Sequence, residues 1–373
     1  MFKQMFKKNM FFIIIVCVAF VSSLYFVYNN YNLYSEPIIT VHDVTTESEE
    51  TIVDRNGNED AEFTQTIHGT IKNGPHKGKQ MIVENIYTYT GAYDFEYKQG
   101  NDLFVHIDKQ SIEENEPITG TITNIKRDKQ LLIVGWVFFF TLLIIGKRQG
   151  FFATASLVLN IIILSFALDI YVNKGVNLLL ISTLLVIIFT ILSLLLVNGR
   201  NEKTYAAIVA TIIGTFLSLL ITFLAMFITS GKGLYYEEMQ FLTRPYELVF
   251  IAGLFIGSLG AVMDVAISIS AALFELYEKN KHISYKALKQ SGLEIGKDIM
   301  GTMTNILFFA YVSGSIPALL LYLKNQSPLG FTLSIHLSLE VTRALAGGIG
   351  IVITIPVGLY TTLYFIKRKQ AMK

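Results

Sequence analysis

The chain has 373 residues, a formal net charge of +1, 52% hydrophobic and only 16% charged residues, and a mean hydropathy of +0.49, whereas soluble domains carry about a quarter charged residues. A soluble enzyme is excluded, and so small a net charge singles out no partner; none is expected among nucleic acids. The lone cysteine, Cys17, excludes an intrachain disulfide and any thiolate-rich zinc or iron–sulfur centre.

In chain order, the first apolar run is Met10–Tyr28, preceded by Lys3, Lys7 and Lys8. It is longer than a signal-peptide core of about 7–15 residues, and Val21-Ser22-Ser23 offers no clear small-x-small cleavage site. Residues 1–28 therefore read as an uncleaved membrane anchor. Ile14-Ile15-Val16 before Cys17 also argues against a lipoprotein site.

Residues 29–129 are polar, with eighteen acidic and nine basic residues and an acidic run through Glu47–Glu62. The run, with Asn56-Gly57-Asn58 in its middle, reads as a solvated loop or hairpin tip. Thr64–Ile71, Met81–Tyr87, Leu103–Ile107 and Ile118–Ile125 alternate apolar and polar residues between turn signals, which predicts a small antiparallel β-barrel or sandwich. His42, His68, His76 and His106 match no metal-ligand spacing and read as strand and loop residues, so no metal or other cofactor is expected. Tyr87, Tyr89, Tyr93 and Tyr97 suit sugar stacking, although packing on the strands explains them more simply.

Residues 130–373 read as a seven-helix membrane domain. The spans are Leu131–Gly146, Phe151–Val172, Val176–Val197, Tyr205–Ile228, Leu248–Ala272, Ile299–Leu323 and Leu345–Ile366, each near the roughly 20 apolar residues that a bilayer core requires. The expected fold is thus a polytopic α-helical membrane protein of about eight transmembrane helices, with a small β-rich extracytoplasmic domain between the first two. With both termini in the cytoplasm, the inner side holds sixteen lysines and arginines, from Lys3 to Lys373. The outer short loops hold four, Lys174, Lys232, Arg244 and Lys324, the asymmetry that the positive-inside rule requires.

Ionisable groups at membrane depth are costly and default to being buried, paired or functional. Asp264 lies deep in the sixth span, on one face with Gly253, Gly257, Gly260, Ser268, Ala271 and Glu275 at spacings of three or four. The glycines read as a helix-packing stripe. In the seventh span Asp298, Thr302 and Asn305 fall at i, i+4 and i+7. Asp264, Ser268, Asp298, Thr302 and Asn305 are the candidate transport or ion site. The competing reading makes Asp298 a helix amino-terminal cap. Asn160 reads as an interhelical hydrogen-bonding residue and Asp169 as an interfacial charge. Glu340 and Arg343 read as a self-neutralising pair, and Tyr277–Lys297 as an interfacial helix or a solvated loop. No catalytic signature is present: there is no His-Glu-x-x-His, no Gly-x-Ser-x-Gly elbow and no Walker spacing.

Gly260-Ala-Val-Met-Asp264-Val-Ala-Ile-Ser-Ile-Ser270, followed by Ser291-Gly-Leu-Glu-Ile-Gly-Lys-Asp298-Ile-Met-Gly-Thr-Met-Thr-Asn305, resembles the signature of the YibE/F-like family of bacterial multi-pass membrane proteins. The loop Asn198-Gly-Arg-Asn-Glu-Lys-Thr204 fits as well, and the overall arrangement is similar to the longer, YibE-like members. The resemblance implies a bacterial cell membrane location. It also implies a homo-oligomer, or a hetero-oligomer with a shorter relative that lacks the outer domain, but it brings no settled biochemical role. Two functions follow as expectations: a transporter or permease component for an ion or small polar solute, or a non-transporting envelope protein whose outer domain binds a partner or cell-wall polymer.

Overall fold

The computed structural model describes residues 2–91, 94–108, 117–239 and 245–371. Tyr93, Arg244 and Lys373, named above, lie outside them. The chain forms two compact units that divide between Thr141 and Leu142.

In the first unit, helix α1 (Phe2–Asn29) passes through a short 3-10 turn (Asn30–Leu33) into five strands. These are β1 (Ile38–Val53), β2 (Glu59–Ile71), β3 (Gln80–Thr88), β4 (Asp102–Ile107) and β5 (Ile118–Ile125), closed in the order β1-β2-β3-β5-β4. All pairings are antiparallel except β3 with β5, which is parallel. The alternation seen in the sequence sends Ile39, Val41, Ile67, Met81, Val83, Leu103, Val105 and Ile118 into the barrel. The acidic run is not a loop throughout. Glu47–Val53 completes β1 and Glu59–Glu62 opens β2, leaving a tip at Asp54–Asn58 where Gly57 takes φ +79. The carboxylates at those strand ends stay in solvent on the pleat, which hides a strand from a hydropathy reading.

Helix α2 (Asp128–Lys174) begins in the first unit. Its Trp136 indole donates a hydrogen bond to Ser23 Oγ of α1 at 2.9 Å, and Phe20 meets Trp136 and Phe140 edge-on. A polar junction ties these helices to the barrel. Lys126 donates to the Val27 carbonyl at 3.2 Å and pairs with Asp128, which also accepts from Asn30 and Tyr34. Lys129 pairs with Asp102, which accepts from Tyr31 and Thr40 as well.

The second unit continues α2 and adds α3 (Leu178–Asn198), α4 (Glu202–Thr229), α5 (Tyr246–Lys279), α6 (Tyr285–Ser313), α7 (Ile316–Lys324) and α8 (Leu329–Ala371). Central α5 packs against α3, α4, α6 and α8, α4 touches α3 and α8, and α6 touches α8. Close approach is possible because small residues sit at the contacts. Gly292 and Gly296 of α6 face Leu359 and Ile355 of α8, and Ser218 of α4 donates to the Ala346 carbonyl of α8 at 2.7 Å.

Six helices among the described residues are long and apolar enough to cross a membrane, or seven if α6 and α7, bent by 51°, make one span. The expected second and third spans run together as α2. That element is interrupted at Lys147, whose backbone is non-helical (φ 48, ψ −120), and Gly150 lies where a side chain would overlap the Leu142 carbonyl. The expected seventh span differs more. It begins at Tyr285, capped by Ser284, and breaks at Gly314-Ser315 before Pro317. The stretch 285–297 is therefore packed helix, and Asp298 is a mid-helix residue, which removes the capping reading. The last span likewise starts at Leu329, sixteen residues before the expected Leu345. Its polar residues find partners: Glu340 pairs with Arg343, as the spacing predicts.

Candidate functional site

Helix α5 buries nearly its whole circumference except one line. Gly253, Gly257, Gly260 and Asp264 are exposed, Ser268 and Ala271 are half-buried, and Glu275 is exposed. These are the residues whose spacing put them on one face, and the face stays open instead of receiving a helix. Ile256, Leu259 and Met263 pack with α3 on one side of it. On the other side Tyr311 of α6 leans in until its hydroxyl lies against Gly257, where a Cβ would collide with it; Gly253 and Gly260 face open space.

Asp264 stands on this line with no hydrogen-bond or ion-pair partner among the described residues. Toward the carboxyl end of α5 the same face supplies Ala271 and Glu275 to a cleft of about 460 Å³. Asn201, Glu202 and Lys203 at the amino end of α4, Phe274 and Glu278 of α5, and Lys369 of α8 complete its walls. The cleft carries both signs of charge. Glu275 pairs with Lys279 and Glu278 with Lys369, at 2.8 and 3.1 Å, while one oxygen of Glu202 is buried without a partner.

Toward the other end, α8 brings a charged pair to the same helix, the Glu340 and Arg343 whose spacing reads as self-neutralising. The Arg343 guanidinium lies over the Phe250 ring of α5, 5.3 Å from its centroid. Tyr311, Glu340 and Arg343 are thus added to the site. Their sequence signal is local: an i, i+3 pair says nothing of an aromatic ring of another helix beneath its guanidinium.

The second stripe lies elsewhere. Helix α6 packs through Leu288, Gly292, Gly296, Met300, Met303 and Leu307. Asp298, Thr302 and Asn305 are exposed on the opposite side of the helix, with the Thr302 hydroxyl bonded to the Ile299 carbonyl of its own helix at 2.9 Å. No hydrogen bond or ion pair joins Asp264 to Asp298. Asn160 does make its interhelical bond, to Ser193 Oγ of α3 at 2.9 Å, and Asp169 accepts from Asn173 in its own helix.

Comparison with known families adds two matches: the description "YibE/F-like protein" covers residues 134–368, and "YibE/F family N-terminal domain" covers residues 32–125. Searches of curated proteins and of solved structures returned no match.

Proposed function

The chain belongs to the YibE/F-like family, and from that premise and its multi-pass apolar helices we propose that it is a transporter or permease component for an ion or small polar solute. One observation carries this reading. An unpartnered carboxylate, Asp264, stands on an open, glycine-lined face of an otherwise apolar helix, and that face ends in a cleft lined by charged side chains. A carboxylate facing lipid alone is costly, so the face is better suited to a hydrated track or a bound cation. Glycines keep such a track free of side chains, while Tyr311 narrows it at Gly257.

In this reading Asp264 is the group that holds the passing cation or proton, Ser268 offers a neighbouring hydroxyl, and Tyr311 with the Glu340–Arg343 pair guards one end. Asp298, Thr302 and Asn305, on the far side of α6, suit an interface. A second subunit, either another copy or a shorter relative, would cover polar groups that lipid tolerates poorly. The charge asymmetry of the short loops supports cytoplasmic termini and an extracytoplasmic barrel in the bacterial cell membrane.

The test is ion and solute flux in vesicles reconstituted with purified protein. Asp264→Asn is expected to reduce flux at least tenfold; unchanged flux removes Asp264 from the mechanism.

The second reading, a non-transporting envelope protein, draws on the barrel. Phe63 and Tyr87 stack at 5.1 Å and 20° on adjoining strands β2 and β3, and Tyr89 beyond them is 84% exposed. Such a platform suits a sugar ring or an aromatic partner. Full function in cells that make only residues 129–373 would count against it.

A further inference from the structure

His336 lies in the first half of α8 with its side chain only 4% exposed. It joins three elements. Its Nδ1 is 2.6 Å from Glu238 Oε2, in the short turn Tyr236–Glu238 between α4 and α5. Its ring packs against the Tyr322 ring of α7, with centroids 4.2 Å apart and planes tilted by 57°. Two residues along α8, Ser338 Oγ accepts the Tyr235 amide at 3.2 Å, so the α4–α5 turn is fastened to α8 twice.

The other ring nitrogen, Nε2, is buried and has no hydrogen-bond partner. Buried polar atoms are paired in the great majority of cases, so an orphan of this kind asks for a ligand. An imidazole that addresses a carboxylate through one nitrogen has a single remaining place for a proton, and imidazole is the side chain that changes charge in the physiological range. Among the described residues, the groups facing His336 are Glu238 from the turn, Tyr322 from α7 and, on its own helix, Glu340 one turn further, engaged by Arg343. A carboxylate at one edge and an aromatic ring alongside form a receptacle for a cationic ring.

We propose that His336 Nε2 is a proton-binding site and that the proton it takes up clamps the Tyr235–Glu238 turn onto α7 and α8. The balance is simple. A proton from water adds to the Nε2 lone pair, the Nδ1 proton stays shared with Glu238, and the pair passes from one net negative charge to none. In the transport reading this makes the proton a coupling ion; that role rests on the reading, whereas the site itself does not.

The experiment uses the full chain in nanodiscs with histidine labelled with ¹³C at Cε1, followed by NMR from pH 4.5 to 9. His336→Gln identifies the resonance; should that variant not fold, Tyr322→Leu identifies it through loss of the neighbouring ring current. The expected result is that the resonance so assigned to His336 titrates in the wild type, with a midpoint lowered by about one pH unit, a tenfold weaker affinity for the proton, in Glu238→Gln. A resonance that stays fixed across the range, or a midpoint that Glu238→Gln leaves in place, overturns the site. Flux measured in parallel separates the two ideas. A pH dependence of flux unchanged in His336→Gln overturns the coupling role. Absence of flux in the wild type overturns the transport reading, and the titration still decides the site.

Discussion

The Lys126 ammonium lies 2.7 Å from the Asp128 carboxylate, with the lysine side chain only 1% exposed. Within the first unit this pair sits where the last barrel strand gives way to α2, and Lys126 reaches back to the Val27 carbonyl at the end of α1. The barrel is thereby held to both helices by buried polar contacts instead of by a flexible tether. With Asn30 and Tyr34 also donating to Asp128, every element of the junction is bonded to a neighbour distant in sequence.

Lys126→Met is expected to destabilise the first unit by about 1.5–3 kcal/mol, because it leaves the half-buried Asp128 carboxylate short of its charged hydrogen-bond donor. Trp136 is the only tryptophan in the chain, so its fluorescence reports this unit selectively during urea unfolding in detergent. The double variant Lys126→Met with Asp128→Asn should recover part of the loss. A single variant as stable as the wild type would show the junction to be solvated.

Ser23→Ala removes the acceptor of the Trp136 indole. A neutral hydrogen bond contributes about 1 kcal/mol net, and the indole N–H is left bare in an apolar contact with Phe20, Phe139 and Phe140. The expected outcome is a blue-shifted Trp136 emission and a loss of about 1–2 kcal/mol. Emission that does not move would place the indole in another environment.

Gly146 and Gly150 flank the break at Lys147 and should respond in opposite directions. Alanine at Gly146 meets open space and gains helix propensity, so stability should rise by about 0.5–1 kcal/mol. Alanine at Gly150 overlaps the Leu142 carbonyl, a backbone atom that cannot rotate away, and should cost at least about 3 kcal/mol. Circular dichroism of the two variants during thermal unfolding makes the comparison. Equal effects would mean that α2 does not fold back at this point.

Parts of this architecture are legible in the sequence and parts are not, for physical reasons. Strands β2 to β5 show themselves because one face is buried and side chains alternate; β1 is hidden by the carboxylates of its exposed half. The amino half of α6 is hidden because it packs through Gly292 and Gly296, which add no hydropathy. Periodicity places Gly253, Gly257, Gly260 and Asp264 on one face, as found, but a period cannot say whether a neighbour covers that face. His336 carries no signal at all, since its partner Glu238 is 98 residues away and lies in a turn.

The contact between Gly257 and Tyr311 offers a cycle that tests the track itself. Gly253→Ala and Gly260→Ala point into open space and should be neutral or gain up to about 1 kcal/mol from helix propensity. Gly257→Ala should instead lose about 1–3 kcal/mol, because the new methyl group meets the Tyr311 hydroxyl. Tyr311→Phe removes that oxygen and leaves the ring carbon at 3.6 Å from the added methyl, an ordinary contact. The double variant Gly257→Ala with Tyr311→Phe should therefore be more stable than Gly257→Ala alone, with a coupling of at least about 1 kcal/mol, although neither substitution adds a new attraction. Additive effects would show that Tyr311 does not rest on α5. The same four proteins, reconstituted for flux, separate constriction from chemistry. If the Tyr311 hydroxyl only narrows the track, Tyr311→Phe raises flux and the added methyl of Gly257→Ala lowers it. If the hydroxyl hands the solute toward Asp264, both single variants lower flux and the double variant, though stable, does not recover it.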